Sequence, residues 1–141
     1  MVTKSRAQPL LIGKLAERTG VNIETIRYYE RVSLLPPPPR TEGRQRAYEK
    51  SHVQRLSFIR RSRELGFPLD DVRTFLQLGD DGNSNCSATK GITLRHLADV
   101  RGKIASLKKL DRALKDLTDN CRPGNQSSCS IIDALHSGTK A

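Results

Sequence analysis

Residues 12–31 read IGKLAERTGVNIETIRYYER, and the reading of this stretch decides the fold. Ile12, Leu15 and Ala16 recur at helical spacing, and Gly20 after Thr19 supplies a stop. Asn22 then offers an N-cap for a second helix. Glu24 falls in the first turn of that helix, where the helix dipole favours an acid. Two short helices joined by a glycine-containing turn make a helix-turn-helix. Ile23 and Ile26 are expected in its core, which leaves Thr25, Arg27, Tyr28 and Tyr29 as the residues of interest on the second helix.

Working outward, Pro36–Pro39 cannot continue a helix and form a stiff extended strap. The strap leads into RTEGRQRAY, residues 40–48, where Gly43 marks a tight turn flanked by Arg40, Arg44 and Arg46. A short arginine-tipped hairpin directly after a helix-turn-helix is a wing. Ser51 is expected to cap a third helix, with Val53, Leu56, Ile59 and Leu65 as its apolar positions and Gly66 as its end. Pro68 suits the first turn of a fourth helix, with Asp70 and Asp71 near its positive end. Val72, Phe75, Leu76 and Leu78 form the buried stripe of that helix. Residues 79–85, GDDGNSN, are a turn-rich break. The expected domains are a winged helix-turn-helix over 1–79, a linker and long helix over 80–120, and a loop and tail over 121–141.

The charge is lopsided. The 141 residues carry 25 Lys+Arg and 15 Asp+Glu, a formal net charge of +10. Residues 1–79 hold 15 basic and 8 acidic side chains, whereas residues 80–141 hold 10 and 7. A polyanion is the partner this implies, nucleic acid before an anionic membrane surface, and it should meet the first half. Thr25, Arg27 and Tyr28 are expected to read DNA, with Arg18 and Tyr29 near phosphates. Arg40, Arg44, Arg46 and Tyr48 are assigned to the wing, and Arg60 and Arg61 to backbone contacts. No stretch approaches the roughly 18 apolar residues of a membrane span. The N-terminus has only a short apolar run and is not expected to be a signal peptide. A cytoplasmic protein with reduced thiols is expected.

The second half is read through one helix and three cysteines. From about Lys90 to Asn120, Leu97, Val100, Ile104, Leu107, Leu110, Leu114 and Leu117 make a narrow apolar seam between polar flanks. This is the pattern of a coiled coil. The simplest partner for a wet seam is a second copy of the chain. Cys86 precedes the helix, and Cys121 and Cys129 follow it. Thirty-odd residues of helix hold Cys86 about 50 Å from Cys121 within one chain. In an antiparallel dimer the start of one helix abuts the end of the other, so Cys86 would join Cys121 and Cys129 of the other copy. Three thiolates make a soft metal site. His96 and His136 are expected to stay outside it.

IGKLAERTGVNIETIRYYERVSLLPPPPRTEGRQRAY and FIRRSRELGFPLDDVRTFLQL resemble the DNA-binding region of the MerR family of bacterial transcription regulators, and the resemblance runs on to CRPGNQSSCSIIDAL. It covers roughly residues 10–135. It implies an all-α fold with a small β wing: a winged helix-turn-helix domain, then a long C-terminal helix that dimerises as an antiparallel coiled coil. It also implies a homodimer on a promoter with an overlong spacer, which bends and untwists the DNA for RNA polymerase when effector binds. Ser33 departs from the glycine usual before Leu-Leu. Arg44 and Gln45 stand where Gly or Asn, then Tyr or His, are common. The three cysteines resemble the metal-sensing branch, most closely its mercury-responsive members. Cys86 resembles divalent-metal sensors, since copper sensors typically carry Ser there, while the seven-residue Cys121–Cys129 loop is of copper-branch length. Charge favours a divalent ion, because three thiolates leave −1 around it but −2 around a monovalent one. Mercury is placed first, cadmium or lead next, zinc lower and copper lowest.

A regulator of the same fold sensing oxidants or electrophiles through these cysteines is the alternative, with Arg122 and Lys90 as nearby cations. An enzyme is not expected, because no nucleophile–base grouping, phosphate loop or catalytic carboxylate pair is apparent.

Overall fold

The computed structural model describes residues 10–43, 45–82, 86–121, 124 and 129–138. Its elements are α1 (Ile12–Thr19), α2 (Ile23–Arg31), α3 (Lys50–Glu64), α4 (Leu69–Asp80), α5 (Cys86–Asp119) and α6 (Ser130–His136). Two compact units result, one running to Cys86 and one starting at Ser87. No described helix is long and apolar enough to cross a membrane.

The first unit is built around the helix-turn-helix. Gly20 ends α1 in the left-handed region at φ 70° and donates its N–H to the Ala16 carbonyl. Asn22 caps α2 by accepting the Thr25 N–H at 2.8 Å. Leu15, Ile26, Leu34, Leu35, Leu56, Ile59 and Val72 are fully buried, so α1, α2, α3 and α4 each place at least one side chain in a single core. Each such burial stabilises by about 2 kcal/mol. Phe67 and Phe75 meet edge to face at 5.1 Å where α3 hands over to α4. The wing is minimal. Arg40 and Arg46 pair antiparallel, Ala47 donates its N–H to the Pro39 carbonyl, and Tyr48 pairs with Leu10.

Four arginines of this unit clamp backbone carbonyls left open at helix ends and turns. Arg55 donates to Leu34, Arg60 to Thr19, Arg63 to Phe67 and Arg73 to Val32, all at 2.6 or 2.7 Å. Arg55 also reaches Asp80 at 2.9 Å. Four of the 25 Lys and Arg side chains thus serve the fold itself.

Several local expectations are corrected. Ile23 is exposed rather than in the core, because the N-cap at Asn22 turns the first residue of α2 outward. Glu49, not Ser51, caps α3, with its N–H donated to His52 Nδ1 at 3.0 Å. Leu65 lies past the end of α3 and is exposed. Pro68 is the N-cap of α4 rather than a residue of its first turn, and α4 continues to Asp80, into the expected break. Cys86 is the first residue of α5 rather than a residue before it. His136 ends a seven-residue helix, α6, where a tail was expected.

The second unit is different in kind. The 34 residues of α5 extend over about 51 Å, and none of them is buried. Leu97, Ile104, Leu107, Leu110 and Leu114 are all exposed. At its far end Ser130 Oγ donates to the Asn120 carbonyl at 3.2 Å, which ties the start of α6 to the end of α5.

Candidate functional site

Two sets of residues carry chemistry. The first lies on α2 and the wing. Arg27 and Tyr28 are exposed on α2, and Arg18 is exposed on α1. Arg31 lies over the Tyr28 ring at 5.8 Å, a cation–π contact that ties two solvent-facing groups together. A groove of about 430 Å³ runs between α2 and the wing, lined by Leu11, Ile12, Arg27, Arg40, Gln45 and Arg46. A second, of about 370 Å³, is lined by Arg27, Glu30, Arg31, Pro37 and Arg46. Arginines from two separate elements thus line one concave surface, which suits phosphate oxygens. Arg61 is exposed on α3, while Arg44 lies outside the described residues.

Two assigned contact residues are corrected. Tyr29 is 8% exposed and Tyr48 4%, so both belong to the core and neither is available to a duplex. Tyr28 and Tyr29 are neighbours on a helix, about 100° apart around its axis, and here Tyr28 faces solvent while Tyr29 faces the core. Tyr48 donates its hydroxyl to Glu30 Oε1. Burial, followed by that hydrogen bond to a carboxylate, pushes its pKa up to about 12. Thr25 is half-buried and its N–H is taken by Asn22. Arg60 is divided between the Thr19 carbonyl and Glu64. Sequence reasoning missed Glu30 and Arg31. The spacing of Tyr28 and Arg31, three apart on a helix, was the available signal for Arg31.

The second set is the cysteines. Cys121 is half-buried, and Cys86 and Cys129 are exposed; the three form no disulfide. Cys129 is the N-cap residue of α6. The backbone N–H groups of Ile132 and Ile131, which open that helix, draw the Cys129 thiol below its usual range. The Cys121 side chain beside it adds to the effect, and Asp133 opposes it. Cys121 and Cys129 are therefore neighbours, while Cys86 stands at the other end of α5. Among the described residues of one chain, no three His, Cys, Asp or Glu side chains gather as a metal site. His96 is half-buried on α5 and His136 is exposed. Arg122 and Pro123 lie outside the described residues.

Comparison with known proteins identifies the family. Residues 10–78 match the family described as MerR HTH family regulatory protein, and residues 53–117 match MerR, DNA binding. The mercuric resistance operon regulatory protein of Bacillus cereus is 43% identical over 126 residues, which cover 88% of this chain and 95% of that protein. The structure of the transcription regulator PbrR691 from Ralstonia metallidurans CH34 in complex with lead(II) superposes with a TM-score of 0.78 at 38% identity. That match covers 89% of this chain and 98% of the other. The dual function transcriptional regulator MerR of Bacillus megaterium MB1, in complex with mercury(II), gives a TM-score of 0.69 at 37% identity over the same shares. These relatives are transcription regulators, not enzymes, and share the helical architecture described above. By sequence, architecture and the placement of its helix-turn-helix, the chain belongs to the MerR family of helix-turn-helix regulatory proteins.

Proposed function

We propose that the protein is a metal-responsive transcription regulator that works as a cytoplasmic homodimer. It represses its promoter without metal and activates by distorting the promoter DNA, for RNA polymerase, in its metal-bound form. The observation that carries this reading is the cysteine arrangement: Cys121 and Cys129 side by side, and Cys86 a helix length away. Two relatives with bound lead(II) or mercury(II) support it. Mercury is the first choice of effector, then cadmium or lead, with zinc lower. Bound, such an ion supplies strong bonds to soft thiolates, and three cysteines are a donor set that fits it. Cys129 contributes a thiol already biased toward thiolate. Cys121 stands beside it, and Cys86 is assigned to the same site from the partner chain. The exposed seam of α5 is the surface through which two copies would pair. Arg18 on α1, Thr25, Arg27 and Tyr28 on α2, Arg40, Arg44 and Arg46 of the 40–48 segment and Arg61 on α3 are assigned to the duplex, with Arg31 of α2 added.

Cys86→Ser, Cys121→Ser and Cys129→Ser should each abolish induction by mercury(II) while DNA binding stays within about twofold, because an effector must bind the two states differently. A mixed dimer is the sharper test. A Cys86→Ser chain paired with a Cys121→Ser/Cys129→Ser chain should bind one ion, since one end keeps all three thiols. No ion per mixed dimer would sink the shared site. An unaltered induction in all three single variants would sink metal sensing by these cysteines and leave the redox alternative to be tested with peroxide.

A further inference from the structure

Glu30 is oddly placed. It is the penultimate residue of α2, where the negative end of the helix dipole disfavours an acid. Its side chain is only 9% exposed, and a carboxylate so buried requires partners. It has two, both from the wing: Arg46 donates to Oε2 and Tyr48 to Oε1. Arg46 in turn keeps 40% of its side chain exposed and lines both grooves together with Arg27. Within the described part of the hairpin, the single β-bridge is Arg40 to Arg46, so the wing has little sheet of its own to hold it.

We propose that Glu30 is a positioning residue for DNA recognition: its carboxylate fixes the wing's Arg46 against α2, beside Arg27, in the orientation that a specific duplex requires. Nη1 of the guanidinium is held by the carboxylate, and the exposed part of the group is left for the duplex. This rests on the reading of α2 and the wing as the DNA-binding face.

The two things a carboxylate could do here have opposite signs. As a bare negative charge under an anion-binding surface, Glu30 would weaken every duplex alike. As a positioning group it strengthens the cognate duplex alone. Binding is measured on the full-length chain with two probes: a duplex enriched by the wild-type protein from a randomised pool, and poly(dI–dC). Glu30→Gln keeps an acceptor for Tyr48 but loses the ionic hold on Arg46. Its Kd for the enriched duplex should rise about tenfold while that for poly(dI–dC) stays level or falls. Arg46→Lys keeps the charge and loses the planar fork, so it should show the same split. The two changes combined should cost little more than either alone. A merely structural role would weaken both probes in parallel, and that result, or a tightening on both, would overturn the proposal. Should Glu30→Gln fail to fold, the half-exposed Arg46→Lys decides the matter by the same criterion. A wild-type chain that enriches no sequence would overturn the DNA reading itself, and this proposal with it. Enrichment followed by parallel changes would overturn Glu30 positioning alone.

Discussion

The first unit closes on itself and the second does not. Between Leu10 and Cys86, apolar side chains from four helices are fully buried, and arginines stitch the helix ends to one another. In α5 an equally regular set of leucines stays in water, with Leu107 63% exposed. One region has its stability written in intramolecular contacts. The other shows no buried residue in α5, and under the proposed pairing of two copies its stability depends on protomer concentration. Apolar pattern alone does not distinguish the two cases. What does is whether the chain supplies a second surface for the pattern to face.

The seam is therefore the place to break the comparison most severely. Placing Asp at both Ile104 and Leu107 should give monomers by sedimentation at micromolar concentration. Duplex affinity should fall about a hundredfold or more, because a lone half-site reader loses the avidity of two. The core of the first unit should survive, with its helical circular dichroism retained up to α4. A wild-type chain that sediments as a monomer would remove the geometric basis of the shared cysteine site.

How much of this was legible beforehand follows the same line. The helix-turn-helix could be read because local signals agree there: the Gly20 stop, the Asn22 cap and the buried Ile26 all act within a few residues of each other. The seam could be read because its apolar residues recur at helical spacing, and the cysteines because they fall at the two ends of that helix. Tyr29 and Tyr48 were misassigned because an aromatic beside arginines looks the same in sequence whether it faces a duplex or a core. Arg60 shares that ambiguity, and only the fold shows its guanidinium at the Thr19 carbonyl. Glu30 was invisible because its partners are 16 and 18 residues away. Likewise α6 lacked a periodic run long enough to announce itself.

A smaller effect tests the closed region through pH. Tyr48 holds its proton in the fold up to about pH 12, against 10.0 for the ordinary phenol. The folded state thus keeps a proton that the unfolded chain has lost. Its stabilising contribution is complete below about pH 10 and is lost as pH rises through about 12. Denaturant midpoints of the wild type should therefore drop more steeply across that window than those of Tyr48→Phe, while the two differ little in slope between pH 7 and 9. Parallel curves throughout would mean that the hydroxyl is not held as described.

The smallest expected effect sets two helix ends of the first unit against each other. Both α2 and α3 close with the same pair of hydrogen bonds. Ser33 N–H donates to Glu30 and Leu34 N–H to Tyr29; Gly66 N–H donates to Arg63 and Phe67 N–H to Ser62. This is the Schellman arrangement, and it needs a left-handed residue in the middle. Gly66 adopts φ 83° freely, whereas Ser33 is held at φ 60° with a Cβ. A glycine here would take the same conformation without that strain. Ser33→Gly should relieve about 1 kcal/mol of strain and give back part of it to the freer unfolded chain, a net gain of about 0.5 kcal/mol. Gly66→Ser should cost about 1 kcal/mol by the reverse route. Both are read as shifts in denaturant midpoint at constant slope. A loss of stability in Ser33→Gly would show that the serine hydroxyl, exposed at the end of α2, does more for the turn than its backbone strain takes away.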